Sequence, residues 1–158
     1  MKAIASAVLA CCIGCSYTTR YVTDHGALVD CDPRWMSGSE ASHEEFVAAA
    51  ILSRHLPISV NDLLAGLEGL HVRCYPGDEI GCGAVRAFGG RIIGCTKSDL
   101  STAWGLEVDL AETDGCAAAD GAYRHEAVHA MMERQGMDGD PEHKMSLWDE
   151  INIPGHCP

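Results

Sequence analysis

His125-Glu126-Ala127-Val128-His129-Ala130-Met131-Met132-Glu133-Arg134 is the stretch whose reading decides the fold. Ala, Met, Glu and Arg are good helix formers, and Gly136 follows as a stop. The run predicts a helix starting near Ala117 or Gly121 and ending at Arg134. Residues four apart on a helix lie one above the other on one face. His125 and His129 therefore present two imidazoles to one point, with Glu126 in the turn between them. That spacing suits one zinc ion with a carboxylate beside its open coordination position.

Upstream of this helix the pattern changes to strands. Trp104, Leu106, Val108 and Leu110 alternate with Gly105, Glu107, Asp109 and Ala111, which predicts a strand with one buried and one wet face. Glu107 and Asp109 fall on the wet face. Leu70 to Tyr75 reads as a second strand, ended by Pro76-Gly77. Ala84 to Phe88 and Arg91 to Cys95 flank Gly89-Gly90, a hairpin pattern.

Two helices are expected before the strands. One covers Glu44 to His55, capped by Ser39 or Ser42, with Phe46, Val47, Ala50, Ile51 and Leu56 at helical spacing. Pro57 stops it. The other runs from Val60 or Asn61 to about Leu67. Ser16 to Glu40 shows no period and reads as an irregular arm, with Tyr21, Val22 and Trp35 as docking residues. The tail from Met137 to Pro158 is rich in Gly, Asp, Pro and His, so loops are expected with at most a short helix at Leu147 to Glu150. The layout is α+β. A small mixed sheet of three to four strands packs on the N-terminal helices and the metal-binding helix, with a loop-rich tail and disulfide staples.

The 158 residues suit one domain, expected to be a monomer. A formal net charge of −12 argues against nucleic-acid binding and against a polybasic membrane patch. Lys2 followed by an apolar run from Ala3 to Gly14 is too short to span a bilayer and fits a signal peptide. It ends in Cys12-Ile13-Gly14-Cys15, which resembles a bacterial lipobox, with Cys15 the lipid site and Cys11 the alternative. An ordinary secretory signal cleaved near Ser16 is the other reading. Ser16 after the cysteine resembles an outer-membrane address. The expected division is residues 1–15 leader, 16–40 tether and arm, and 41–158 catalytic domain.

Six cysteines remain beyond the leader: Cys31, Cys74, Cys82, Cys95, Cys116 and Cys157. An even number in an exported chain suggests three disulfides, and sequence alone does not choose the pairing. The provisional pairing ties the termini through Cys31 and Cys157. No C-x-x-C pair occurs among the six, which argues against a cysteine-rich zinc site.

A catalytic zinc takes three protein ligands and leaves one position open. His143, fourteen residues after His129, follows a Gly- and Pro-containing turn and is the preferred third ligand. Glu150, Asp149 and Asp140 are the alternatives. His25, His43, His55 and His71 read as ordinary surface or half-buried residues, and Met131, Met132, Met137 and Met145 as core filler. Trp148 is expected to pack the tail onto the domain and support His143.

Residues Ala117 to Glu150 resemble the active-site segment of zincin metallopeptidases, over about a third of the chain. The metzincin pattern needs Gly at the Met132 position and His or Asp at the Gln135 position, so that branch is excluded. Thermolysin-like enzymes use a Glu at a spacing that fits Glu150. Deuterolysin-like enzymes use an Asp matched by Asp140, without their preceding Gly-Thr. The Gly-Asp-x-x-His turn at His143 is similar to what small secreted bacterial zincin-like lipoproteins are expected to carry. The resemblance implies a zinc-dependent peptidase at the bacterial cell envelope, with His125, His129 and His143 on Zn2+ and Glu126 as base for a zinc-bound water. It implies a peptide or protein substrate, paired in extended form along the Trp104–Ala111 strand. Tyr123, His71 and His156 are candidates to stabilise an oxyanion. The alternative is a non-catalytic envelope lipoprotein that uses the fold as a binding module or holds a structural zinc.

Overall fold

Ser37 and Glu40 start the longest helix. The Ser37 hydroxyl accepts from the Glu40 amide (3.3 Å) and the Glu40 carboxylate accepts from the Ser37 amide (2.7 Å), which closes a capping box. The computed structural model describes residues 19–77, 80, 94–97, 106–112, 121–137 and 143–151. Within them the order is β1 (Thr19–Val22), β2 (Leu28–Cys31), α1 (Gly38–His55), α2 (Val60–Ala65), β3 (His71–Pro76), β4 (Gly94–Lys97), β5 (Glu107–Glu112), α3 (Tyr123–Arg134) and α4 (Leu147–Ile151). The leader, including Cys11 and Cys15, and the expected hairpin over Ala84 to Phe88 lie outside the described residues. No helix among the described residues is long and apolar enough to cross a membrane.

The fold is mixed α+β, as the periodicities imply. The first helix starts earlier than expected, because the capping box closes at Ser37 and Glu40, while Glu45, three residues after Ser42, is buried against Tyr123 instead. Ser42 instead donates to the Gly38 carbonyl inside the helix (2.9 Å). Phe46 is left 52% exposed, while Ala41, Ala48, Ala49 and Leu52 face the core.

Among the described residues the sheet has five strands in the order β1-β2-β3-β5-β4. β2, β3 and β5 run parallel, and β1 and β4 flank them antiparallel. Two of the strands arise where an irregular arm was expected. β1 and β2 are only four residues each and carry polar residues, so no period shows in them. Gly26, at φ +87, turns the chain between them. Tyr21 does dock, its hydroxyl donating to the Met36 carbonyl (2.8 Å), whereas Val22 is 61% exposed.

One sheet face carries Val29, Val72, Val108 and Leu110 into the core beneath α1 and α3. The same face carries Cys31 and Cys74, which form a disulfide with Cα atoms 4.9 Å apart. This corrects the expected Cys31–Cys157 pairing. Asp30 sits opposite Arg73 in the parallel β2–β3 ladder, so the following residues are brought together on the core side. Cys95 is also disulfide-bonded. Cys82, Cys116 and Cys157 lie outside the described residues.

The other face carries Asp30, His71, Arg73, Lys97, Glu107 and Asp109. Glu107 and Asp109 were expected to be solvated, but each is only 3% exposed. Their carboxylates are covered by cations from the neighbouring strands: Arg73 bonds both, at 3.3 Å to Asp109, and Lys97 bonds Asp109. β5 is also an interior strand, with β3 and β4 on its two edges, so it has no free edge for a peptide. Among the described residues the edge on that side belongs to β4.

Candidate metal centre

The pentapeptide sits where the sequence placed it, on α3. The helix is tied to α1 by two neighbouring polar contacts at its N-terminus. The Tyr123 hydroxyl donates to Glu45 (2.5 Å), and the Arg124 guanidinium donates to Glu44 (2.6 Å). Ala127, Val128, Ala130 and Met131 fill the core side of α3. His125 and His129 are then left half-buried at the boundary of the core.

His143 approaches from the tail. Its backbone takes φ +52, a conformation uncommon for a residue with a side chain. Such departures cluster where surrounding structure fixes a side chain for a task. The His129 Nε2 atom lies 3.1 Å from His125 Nε2 and 3.1 Å from His143 Nε2. A ring nitrogen carries either one proton or one lone pair. His129 Nε2 therefore cannot make a full hydrogen bond to both. One cation shared by three lone pairs satisfies all three nitrogens together. Zinc–nitrogen bonds of 2.0–2.1 Å in a tetrahedron put ligand nitrogens roughly 3.3 Å apart, close to the spacing found. The three histidines fit a metal ion of this kind.

Trp148 closes the site from below. It is buried, and its ring lies 4.7, 4.6 and 4.4 Å from the rings of His125, His129 and His143. α4 brings it there, with Leu147 and Ile151 buried on either side. The expected supporting place of Trp148 is the one it occupies.

Glu126 turns toward β4. The Thr96 hydroxyl lies 2.7 Å from its Oε2 and 3.1 Å from its main-chain oxygen. Burial pushes the carboxyl up to about 7, against the downward pull of its hydrogen bonds with Thr96. Thr96 was not singled out in the sequence. Nothing local marks it, because its partner is thirty positions away across the β4–α3 contact.

The other candidates fall elsewhere. Glu150 pairs with Arg54 and with His55 (2.8 Å) at the end of α1, and stands outside the cluster. Asp149 is exposed and also outside it. Asp140 and His156 lie outside the described residues. Tyr123 is fully buried and committed to Glu45, so it is a core residue. His71 sits on the charged sheet face, 2.8 Å from Asp30, on the side away from α3. Neither serves as an oxyanion donor here.

No family model, no curated protein and no solved structure matches this chain.

Proposed function

We propose that the protein is a zinc-dependent peptidase of zincin type, exported to the bacterial cell envelope. The observation that carries the reading is the convergence of three imidazole nitrogens with Glu126 in the turn between two of them. His125, His129 and His143 would hold the metal through Nε2. Zinc in such a site supplies polarisation of a carbonyl and acidifies a water. Glu126 is the base: its carboxylate takes a proton from the attacking water and passes it to the leaving amine. An extended peptide would lie along β4, the outermost strand on that side among the described residues and the one against which α3 packs. The apolar leader ending near Cys15 supports export and a lipid tether.

One observation favours a second reading. Glu126 is only 6% exposed and already hydrogen-bonded to Thr96, which suits a structural zinc site or a binding module. Zinc stoichiometry and hydrolysis of a peptide library, for wild type and Glu126→Gln, separate the two. The peptidase reading expects about one zinc in both proteins and cleavage by the wild type alone. Zinc in both with cleavage in neither leaves the structural site. A wild type that takes no zinc removes the peptidase and the structural zinc site and leaves the binding module. His143→Ala is expected to weaken zinc binding at least tenfold, and unchanged affinity would remove it as a ligand.

A further inference from the structure

We propose that Thr96, with Gly94 clearing the space beside it, is the positioning residue that sets the direction of the Glu126 carboxyl group. The inference rests on the peptidase reading for its catalytic consequence, and on geometry alone for the contact. Gly94 and Thr96 are two apart on β4, so they face the same side. That side meets α3 at Glu126. Thr96 Oγ1 reaches Oε2 (2.7 Å) and the Glu126 main-chain oxygen (3.1 Å). A Cβ atom at position 94 would lie 2.7 Å from Glu126 Oε1 and 2.8 Å from its Cγ. Such approaches are not tolerated, so any larger residue at 94 would displace the carboxyl group. One position supplies room and the next in register supplies a hydroxyl.

The hydroxyl suits this task in either protonation state of its partner. It has one proton and two lone pairs. Toward a carboxylate it donates to Oε2. Toward a carboxylic acid it accepts from Oε2 and donates to the main-chain oxygen. Threonine is also stiff about χ1, so the hydroxyl direction is set by the strand. A glutamate beside two metal ligands has several rotamers available. Without the β4 contact its carboxyl group would sample them, and a small misplacement of a reacting group can cost on the order of 100-fold in rate.

The test uses the full chain and has two parts. In the first, urea unfolding with chelator present compares Thr96→Val and Gly94→Ala in the wild-type and Glu126→Ala backgrounds. Thr96→Val is expected to lower the midpoint only when Glu126 is present, and Gly94→Ala likewise. Equal shifts in both backgrounds would overturn the proposal. In the second, zinc-loaded proteins are assayed on peptides. Thr96→Val is expected to lose on the order of 10- to 100-fold in kcat with KM and zinc content unchanged, and Thr96→Ser to recover most of it. A Thr96→Val protein with wild-type kcat would overturn the proposal. If Thr96→Val does not fold, Thr96→Ala and Gly94→Ala carry both parts, with Thr96→Ser as the rescue. Non-additive unfolding together with an inactive wild type would end the peptidase reading while the Thr96 assignment stands.

Discussion

Glu45 is the residue whose burial has the clearest energetic consequence. It is fully buried between α1 and α3, where it accepts from Tyr123. Burial pushes its carboxyl from an ordinary 4.5 up to about 7; hydrogen bonds from Tyr123 and Thr23 pull downward, and Asp24 pushes upward. Between pH 4.5 and 7 the folded protein then holds a proton that the unfolded chain has lost. Stability falls as pH rises through that window and levels off above it. The size is about 3 kcal/mol, from 1.36 kcal/mol per pH unit. Glu45→Gln keeps the acceptor for Tyr123 and has no proton to lose. It is expected to match the wild type near pH 5 and to be more stable near pH 8 by an amount of that order. Urea titrations of both proteins at the two pH values check this, and an equal difference at both would refute it. The window lies well above the titration of Asp30, which Arg20 holds down at about 2.

Among the elements, the charged face of the sheet shows how far single-strand patterns reach. The alternation in β5 revealed which residues point to which side, and that much was legible. It could not reveal that Glu107 and Asp109 would be covered, because Arg73 and Lys97 come from other strands. β1 and β2 escaped for the same reason: four-residue strands owe their form to ladder partners rather than to their own period. The Cys31–Cys74 pairing is likewise a property of the β2–β3 register. The helix that carries His125 and His129 was legible because its spacing, helix formers and stop all lie within one segment. Arg73→Met tests the face. It removes the cation shared by two buried carboxylates, whose loss of a partner costs several kcal/mol when fully buried. Arg73 itself is 37% exposed, so solvent softens the effect to about 1–3 kcal/mol. A urea midpoint that gives less than about 0.5 kcal/mol would show that the carboxylates are solvated after all.

At the scale of the molecule, a disulfide and a candidate metal site tie different parts of the chain. The Cys31–Cys74 disulfide spans 43 positions that contain α1 and α2. Its chain-entropy contribution is about 4 kcal/mol. The three histidines could close a second loop if they hold a metal ion. His125 and His129 come from α3, whereas His143 comes from the tail, and Trp148 and Glu150 fasten that tail to α3 and α1. A bound ion would therefore stabilise the docked tail as well as the helix. By linkage, zinc at a hundred times its Kd raises stability by about 2.7 kcal/mol. For a chain of this length that corresponds to an unfolding midpoint roughly 5–10 °C higher. Thermal melts of the full chain with zinc and with chelator are expected to differ by that amount. His143→Ala should shrink the difference, with only a small drop in the chelated midpoint from the lost ring contact with Trp148. Limited proteolysis gives the same contrast a location. Cleavage between residues 137 and 147 should slow with zinc in the wild type and not in His143→Ala. Equal zinc protection in both proteins would place the ion on α3 alone and break the link between metal and tail.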